Sequence, residues 1–192
     1  MADYHETTGV PTPSKRDLLH ALRSSRDEVI ALVRSQPLER LEEGRYENGW
    51  NGRQILAHIA SIEWSYPRLI EIARTPPSSS APTSSAEDEP PTRAPKGSNE
   101  GYNDRQVAKR EHLGVAELLA EFEHHRAATI AAVEAADEAL FARRIRSAFG
   151  VVGPLATVFH QIAVAHVLEH ARDIAGQARR DGEAAPPGRA GR

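Results

Sequence analysis

The chain has 192 residues, 40% hydrophobic but only 5% aromatic, with a formal net charge of −3 and no cysteine. That length fits one domain packed mainly by alanine and leucine, which favours helices, and near-balanced charge lacks the basic excess that nucleic-acid binding needs. Without thiolates, disulfides are excluded and any metal must be held by nitrogen and oxygen.

Residues 1–13 read as a loose, polar terminus without the apolar core of a signal peptide. The first helix is expected from about Ser14 to Gln36. Ser14 and Asp17 have capping-box spacing, Leu18, Leu22, Val29 and Leu32 form a stripe, and Pro37 closes it. A second helix begins at Asn51, an N-cap residue, and runs to about Arg74 with Leu56, Ile59, Ile62, Leu69 and Ile70 on its packing side. Pro67 should bend it, since its nitrogen cannot donate to the residue four back.

Residues 75–101, TPPSSSAPTSSAEDEPPTRAPKGSNEG, contain no apolar side chain larger than alanine and read as a flexible loop. Such a loop would let the second and third helices run in the same direction. The third helical segment is expected from Asn103 or Asp104 to about Ala136. It is interrupted near Gly114, and Val115, Leu118, Leu119, Phe122, Ile130 and Val133 face the core. A connector with Arg143, Arg144 and Arg146 follows, and the fourth helix runs from Pro154 to about Arg179. No strand alternation stands out, and residues 180–192 read as a second loose end. The expectation is an all-α four-helix bundle over residues 14–179. No run of about 18 apolar residues offers a membrane span, so a cytoplasmic protein with no membrane or nucleic-acid partner is expected.

Nine histidines are present. His5, His20, His112, His124 and His125 lie in terminal or mixed polar surroundings and read as solvated; His160 faces away from the next two. His166 and His170 continue a stripe of Leu155, Phe159 and Ile162 at about 100° per residue. His58 shares a face with Ile55, Ile59 and Ile62. Inward histidines are either hydrogen-bonded core residues or ligands, and a pair at i and i+4 suits one metal ion. The residues alone leave both readings open. Glu63, Glu169 and Asp173 are candidates to orient such rings.

The segment NGWNGRQILAHIASIEW, Asn48 to Trp64, resembles the signature of DinB-like proteins, HVLEHARDI, His166 to Ile174, is similar to their closing element, and GYND, Gly101 to Asp104, to the opening of their third helix. The resemblance spans roughly Ser14 to Gln177. It implies a four-helix bundle of unusual connectivity with a divalent metal on His58, His166 and His170; zinc, nickel and iron all occur in such relatives. It also implies a metal-dependent enzyme that transfers a low-molecular-weight thiol, such as bacillithiol, glutathione or mycothiol, to a small electrophile. The Ala- and Arg-rich composition suits a high-GC genome and thus mycothiol. The related maleylpyruvate isomerases usually carry a further C-terminal domain, and because this chain ends soon after the fourth helix, transfer is expected rather than isomerisation. The alternatives are hydrolysis without a thiol and a non-catalytic module that sequesters a small molecule. A homodimer through one helical face is expected.

Overall fold

The computed structural model describes residues 5–7, 11–43, 49–75, 99–148 and 150–176. Four rods carry the fold. The first is α1 (Lys15–Arg34), started by Ser14, whose hydroxyl accepts from Asp17 N. A short helix, α2 (Leu38–Glu43), follows Pro37; six residues with one buried side chain, Leu41, are too few to form a stripe. The second rod is α3 (Gly52–Glu63) and, after a turn, α4 (Pro67–Arg74). Pro67 therefore restarts a helix rather than bending one, because a first-turn position needs no donor.

Next comes α5 (Asn99–Ala108), which begins a few residues before its expected start. The third rod, α6 (Val115–Ala135), begins after Gly114, whose N–H donates to Glu117 Oε2 at 2.8 Å. The fourth joins α7 (Leu155–His160) through a π turn (Gln161–Ala165) to α8 (His166–Ile174). It stops short of Arg179 because Gly176 takes a left-handed φ of 66°, a common way for a helix to end. Of the expected loop at 75–101, residues 76–98 lie outside the described residues, as do 177–192.

Side-chain contacts fix the directions. Lys15 Nζ donates to the carbonyls of Glu134 and Ala136 while Arg34 reaches Glu123, so α1 and α6 are antiparallel. Arg53 Nη1 reaches Leu113 O at one end of α3 and Arg126 reaches Glu63 at the other, so α3 and α6 are parallel. Thr12 meets Thr157 and Glu28 meets Arg172, so α1 runs with the fourth rod. The order is up, down, down, up, with the second and third rods parallel as expected from the long insertion between them.

Every side chain from Ile55 to Glu63 is buried, which places α3 at the centre. The α1 stripe is Leu18, Leu22, Ser25, Val29 and Val33, with Leu32 only half-buried. Each buried Leu or Ile contributes roughly 1.5–3 kcal/mol, so the rods cohere with few aromatics.

Two expectations fail. The connector holds a 3-10 turn (Glu138–Ala142) and strands β2 (Arg144–Arg146) and β3 (Val151–Pro154), paired antiparallel with Ile145 opposite Gly153. The N-terminal stretch is not loose throughout. Its β1 (His5–Glu6) pairs parallel with β3, and Thr7 N donates to Val152 O at 3.1 Å. Gly153 permits that approach, since a β-carbon there would overlap Thr7 Oγ1. Among the described residues no helix is long and apolar enough to cross a membrane.

Candidate metal centre

The start of α3 is fixed by a reciprocal cap. Asn51 Oδ1 accepts from Gln54 N at 2.8 Å, and Asn51 N donates to Gln54 Oε1 at 2.9 Å. Each interaction of this kind is worth about 1 kcal/mol. The cap sets the phase of the following turns and carries His58 to the side of α3 that faces α8. His58 is 4% exposed, with the half-buried Trp50 ring 5.3 Å from its own.

His166 and His170 arrive from α8. Their ring centroids are 4.5 Å apart and stand 5.9 and 5.1 Å from that of His58. One nitrogen from each ring lies within 4.8 Å of the others, an arrangement that could hold a metal ion. The structure thus brings together the three histidines singled out from the sequence.

It does so by a route the helical count did not contain. Counting 100° per residue puts both α8 histidines on the buried stripe itself. The buried positions after the π turn are Val167, Ala171 and Ile174, while His166 and His170 are half-buried. The π turn accommodates one extra residue. The apolar stripe moves one position later, and the histidines stand at its edge, turned toward His58.

Burial pushes His58 well below its ordinary pKa, helped by the neighbouring charges of His170 and then His166. Burial pushes His166 down to about 3, with His170 adding to the effect. These rings are neutral at physiological pH, the form in which imidazole donates a lone pair to a metal. The Nδ1 atom of His58 is buried without a hydrogen-bond partner, a costly state for a polar atom that a bound cation would relieve. A four-coordinate zinc with nitrogens at about 2.0–2.1 Å would draw the ligating nitrogens to roughly 3.4 Å from one another. The rings need swing by only about an ångström, so the residues fit a divalent ion.

Of the expected orienting carboxylates, Asp173 Oδ2 lies 3.6 Å from His170 Nδ1. Glu63 is turned away and fully buried in a bidentate pair with Arg126, at 2.7 and 2.9 Å. Arg126 was not among the residues expected at the site, although a charge between Phe122 and Ile130 on an apolar stripe is a visible signal. Arg144 and Arg146 lie in β2, with Arg146 opposite Val152. Arg144 pairs with Pro154, twelve residues before His166, or roughly 18 Å along a helix. His20, His112 and His124 are exposed. His125 lies 3.9 Å from Glu121.

Fold and cluster together define a helical bundle of up–down–down–up connectivity with three imidazoles converging from its second and fourth rods. The family model described as the DinB superfamily matches residues 21–178, and the chain belongs to that superfamily. Two solved structures share the fold: the crystal structure of a mycothiol-dependent maleylpyruvate isomerase, 17% identical, and that of a histidine-to-alanine mutant of such an isomerase, 18% identical, each with a TM-score of 0.64. Each match covers 89% of this chain and 64% of the isomerase chain. No curated protein matches the chain at a significant level.

Proposed function

We propose that the bundle of residues 14–179 holds a divalent cation on His58, His166 and His170 and transfers a low-molecular-weight thiol to a small electrophile. The observation that carries this reading is the convergence of three imidazoles, with a buried His58 Nδ1 that makes no hydrogen bond. The dependence of a protein of the same fold on mycothiol supports a thiol as cosubstrate.

Each histidine has a defined task. His58 presents its lone pair from the buried side of the site, with the Trp50 ring beside it. His166 and His170, one helical turn apart, present theirs from α8, and Asp173 lies close enough to His170 to favour one orientation of its ring. Three neutral protein donors leave room for an exogenous ligand, as in catalytic rather than structural zinc sites. When bound, the cation would lower the pKa of the cosubstrate sulfur and make thiolate available at neutral pH. Imidazoles suit zinc, nickel and iron alike. The histidines act as ligands, and with the pKa values of His58 and His166 depressed by burial these two are poor proton carriers near pH 7.

The test is metal analysis of the purified protein, followed by a panel of thiols with a chromogenic electrophile. Metal at one equivalent and turnover that requires both the metal and one thiol are expected. Alanine at His166 should abolish metal retention in a folded protein. Turnover without any thiol would replace transfer by hydrolysis, and stoichiometric capture without product would replace catalysis by sequestration.

A further inference from the structure

The π turn that sets the phase of His166 and His170 is held from outside the fourth rod. His166 N–H reaches back five residues to Gln161 O. In an α-helix that donor belongs to the carbonyl of Ile162, four residues back. Here Ile162 O accepts instead from the Tyr66 hydroxyl at 2.8 Å. The next carbonyl, Ala163 O, accepts from Arg126 Nη2, also at 2.8 Å. Two consecutive carbonyls of the π turn are therefore engaged by side chains from the turn after α3 and from α6.

Both donors are themselves fixed. Tyr66 is 1% exposed and Arg126 fully buried. Arg126 spends its remaining donors on Glu63, on Ser25 Oγ at 2.9 Å and on Leu22 O at 3.3 Å. Thr129 Oγ1 adds a contact to Glu63 O at 3.5 Å. One guanidinium thus binds α1, α3 and the fourth rod to α6, in the planar, multidonor geometry that only arginine offers. A π turn is less favourable than the α-helix it interrupts, and such turns persist where outside partners satisfy the displaced carbonyls.

We propose that Tyr66 and Arg126 are positioning residues for the histidine cluster: by taking the carbonyls of Ile162 and Ala163 they hold the π turn, and with it the phase at which His166 and His170 face His58. The proposal deepens the metal reading above and rests on it for its effect on affinity, though not for its effect on the rings. Without the clamp, the segment relaxes toward regular α-helix, and the rings rotate away from His58.

Tyr66→Phe tests this most directly, since it removes one hydroxyl and keeps the ring; Arg126→Lys, which keeps the charge but loses the fork, is the second arm. Two readouts are taken on chelator-treated protein: nitrogen-15 NMR of the imidazoles without metal, then cobalt(II) titration followed by its d–d absorption. Val133→Ala, a buried truncation on α6, serves as a destabilised control. Expected are displaced His166 and His170 imidazole signals in both clamp variants. Cobalt affinity should be about 10–100-fold weaker, the range known for residues that orient ligands, and the control should keep wild-type affinity. Folded clamp variants with wild-type imidazole signals and wild-type affinity would overturn the proposal. If wild-type protein binds no cobalt yet the imidazole signals move in Tyr66→Phe, the metal reading falls and the clamp stands. If wild-type protein binds no cobalt and the imidazole signals do not move in Tyr66→Phe, both fall.

Discussion

The imidazoles of His58 and His170 meet edge to face, with centroids 5.1 Å apart and planes at 89°, although one belongs to α3 and the other to α8. His58 has a buried Nδ1 that makes no hydrogen bond. Leaving such an atom unsatisfied costs about 1–3 kcal/mol, so the metal-free protein folds against a local penalty. A cation that binds only the folded state removes the penalty and adds stability by mass action, about 2.7 kcal/mol at a hundredfold excess over Kd. For a chain of this size that corresponds to a rise in Tm of about 5–10 °C. Thermal unfolding with and without zinc, nickel or cobalt measures it. His58→Gln should erase the shift, and an unchanged wild-type Tm with every ion would count against the site.

The same rings give the metal-free protein a pH dependence of known sign. His58 and His166 have folded pKa values depressed by burial, so below 6.5 the unfolded chain binds protons that the folded chain does not. Stability from these groups is fully present above 6.5 and falls as pH drops toward their folded values, about 3 for His166. Carboxylates intrude near their own range, so the clean window is pH 6.5 to about 5. Denaturant midpoints in chelator should fall across that window in the wild type and fall less steeply in His166→Gln. Equal slopes would show that His166 titrates as if unfolded.

Trp50 offers an optical report on the cluster. Its ring centroid is 5.3 Å from that of His58, whereas Trp64, the other tryptophan in the chain, is 36% exposed beneath the Arg68 guanidinium at 4.2 Å. A paramagnetic ion held by the three histidines lies within a few ångströms of Trp50 and should quench its emission. Cobalt or nickel should quench Trp64→Phe strongly and Trp50→Phe weakly. The reverse pattern would place the ion elsewhere.

The parts of this arrangement that were legible in the sequence are those with a local signature. Ser14 and Asn51 mark helix starts through their own side chains, and Gly114 marks the interruption before α6. The stripes of α1, α3 and α6 follow the helical period, and the inward histidines stood out as polar residues on apolar faces. Strands of two to four residues have no period to detect, so β1, β2 and β3 passed unseen. The π turn left no local mark either. Leu155, Phe159 and Ile162 fit a regular helix, and only the Tyr66 and Arg126 contacts, made from distant parts of the chain, show where the extra residue is accommodated. Arg126 itself was visible as a charge among apolar neighbours, but its partner Glu63 read as a candidate to orient the histidines. Pairing between helices is not written in either helix alone.

The Glu63–Arg126 pair separates stability from positioning. Burial pushes the Glu63 carboxyl above its ordinary pKa, and the guanidinium pulls back against it, so removing Arg126 leaves a buried carboxyl with only Thr129 to support its charge. Arg126→Met should cost about 3–5 kcal/mol in urea unfolding, and Glu63→Leu in the same chain should recover most of it, because a buried ion pair replaced by apolar side chains of similar volume is often close to neutral. A single change costing under about 1 kcal/mol would show that the pair is not buried in solution. The double variant then isolates the clamp: it folds, but Ala163 O has lost the Arg126 donor. If restored stability brought back full metal affinity, the guanidinium would be serving the bundle alone; weakened affinity in a protein of wild-type stability would assign it to the histidines.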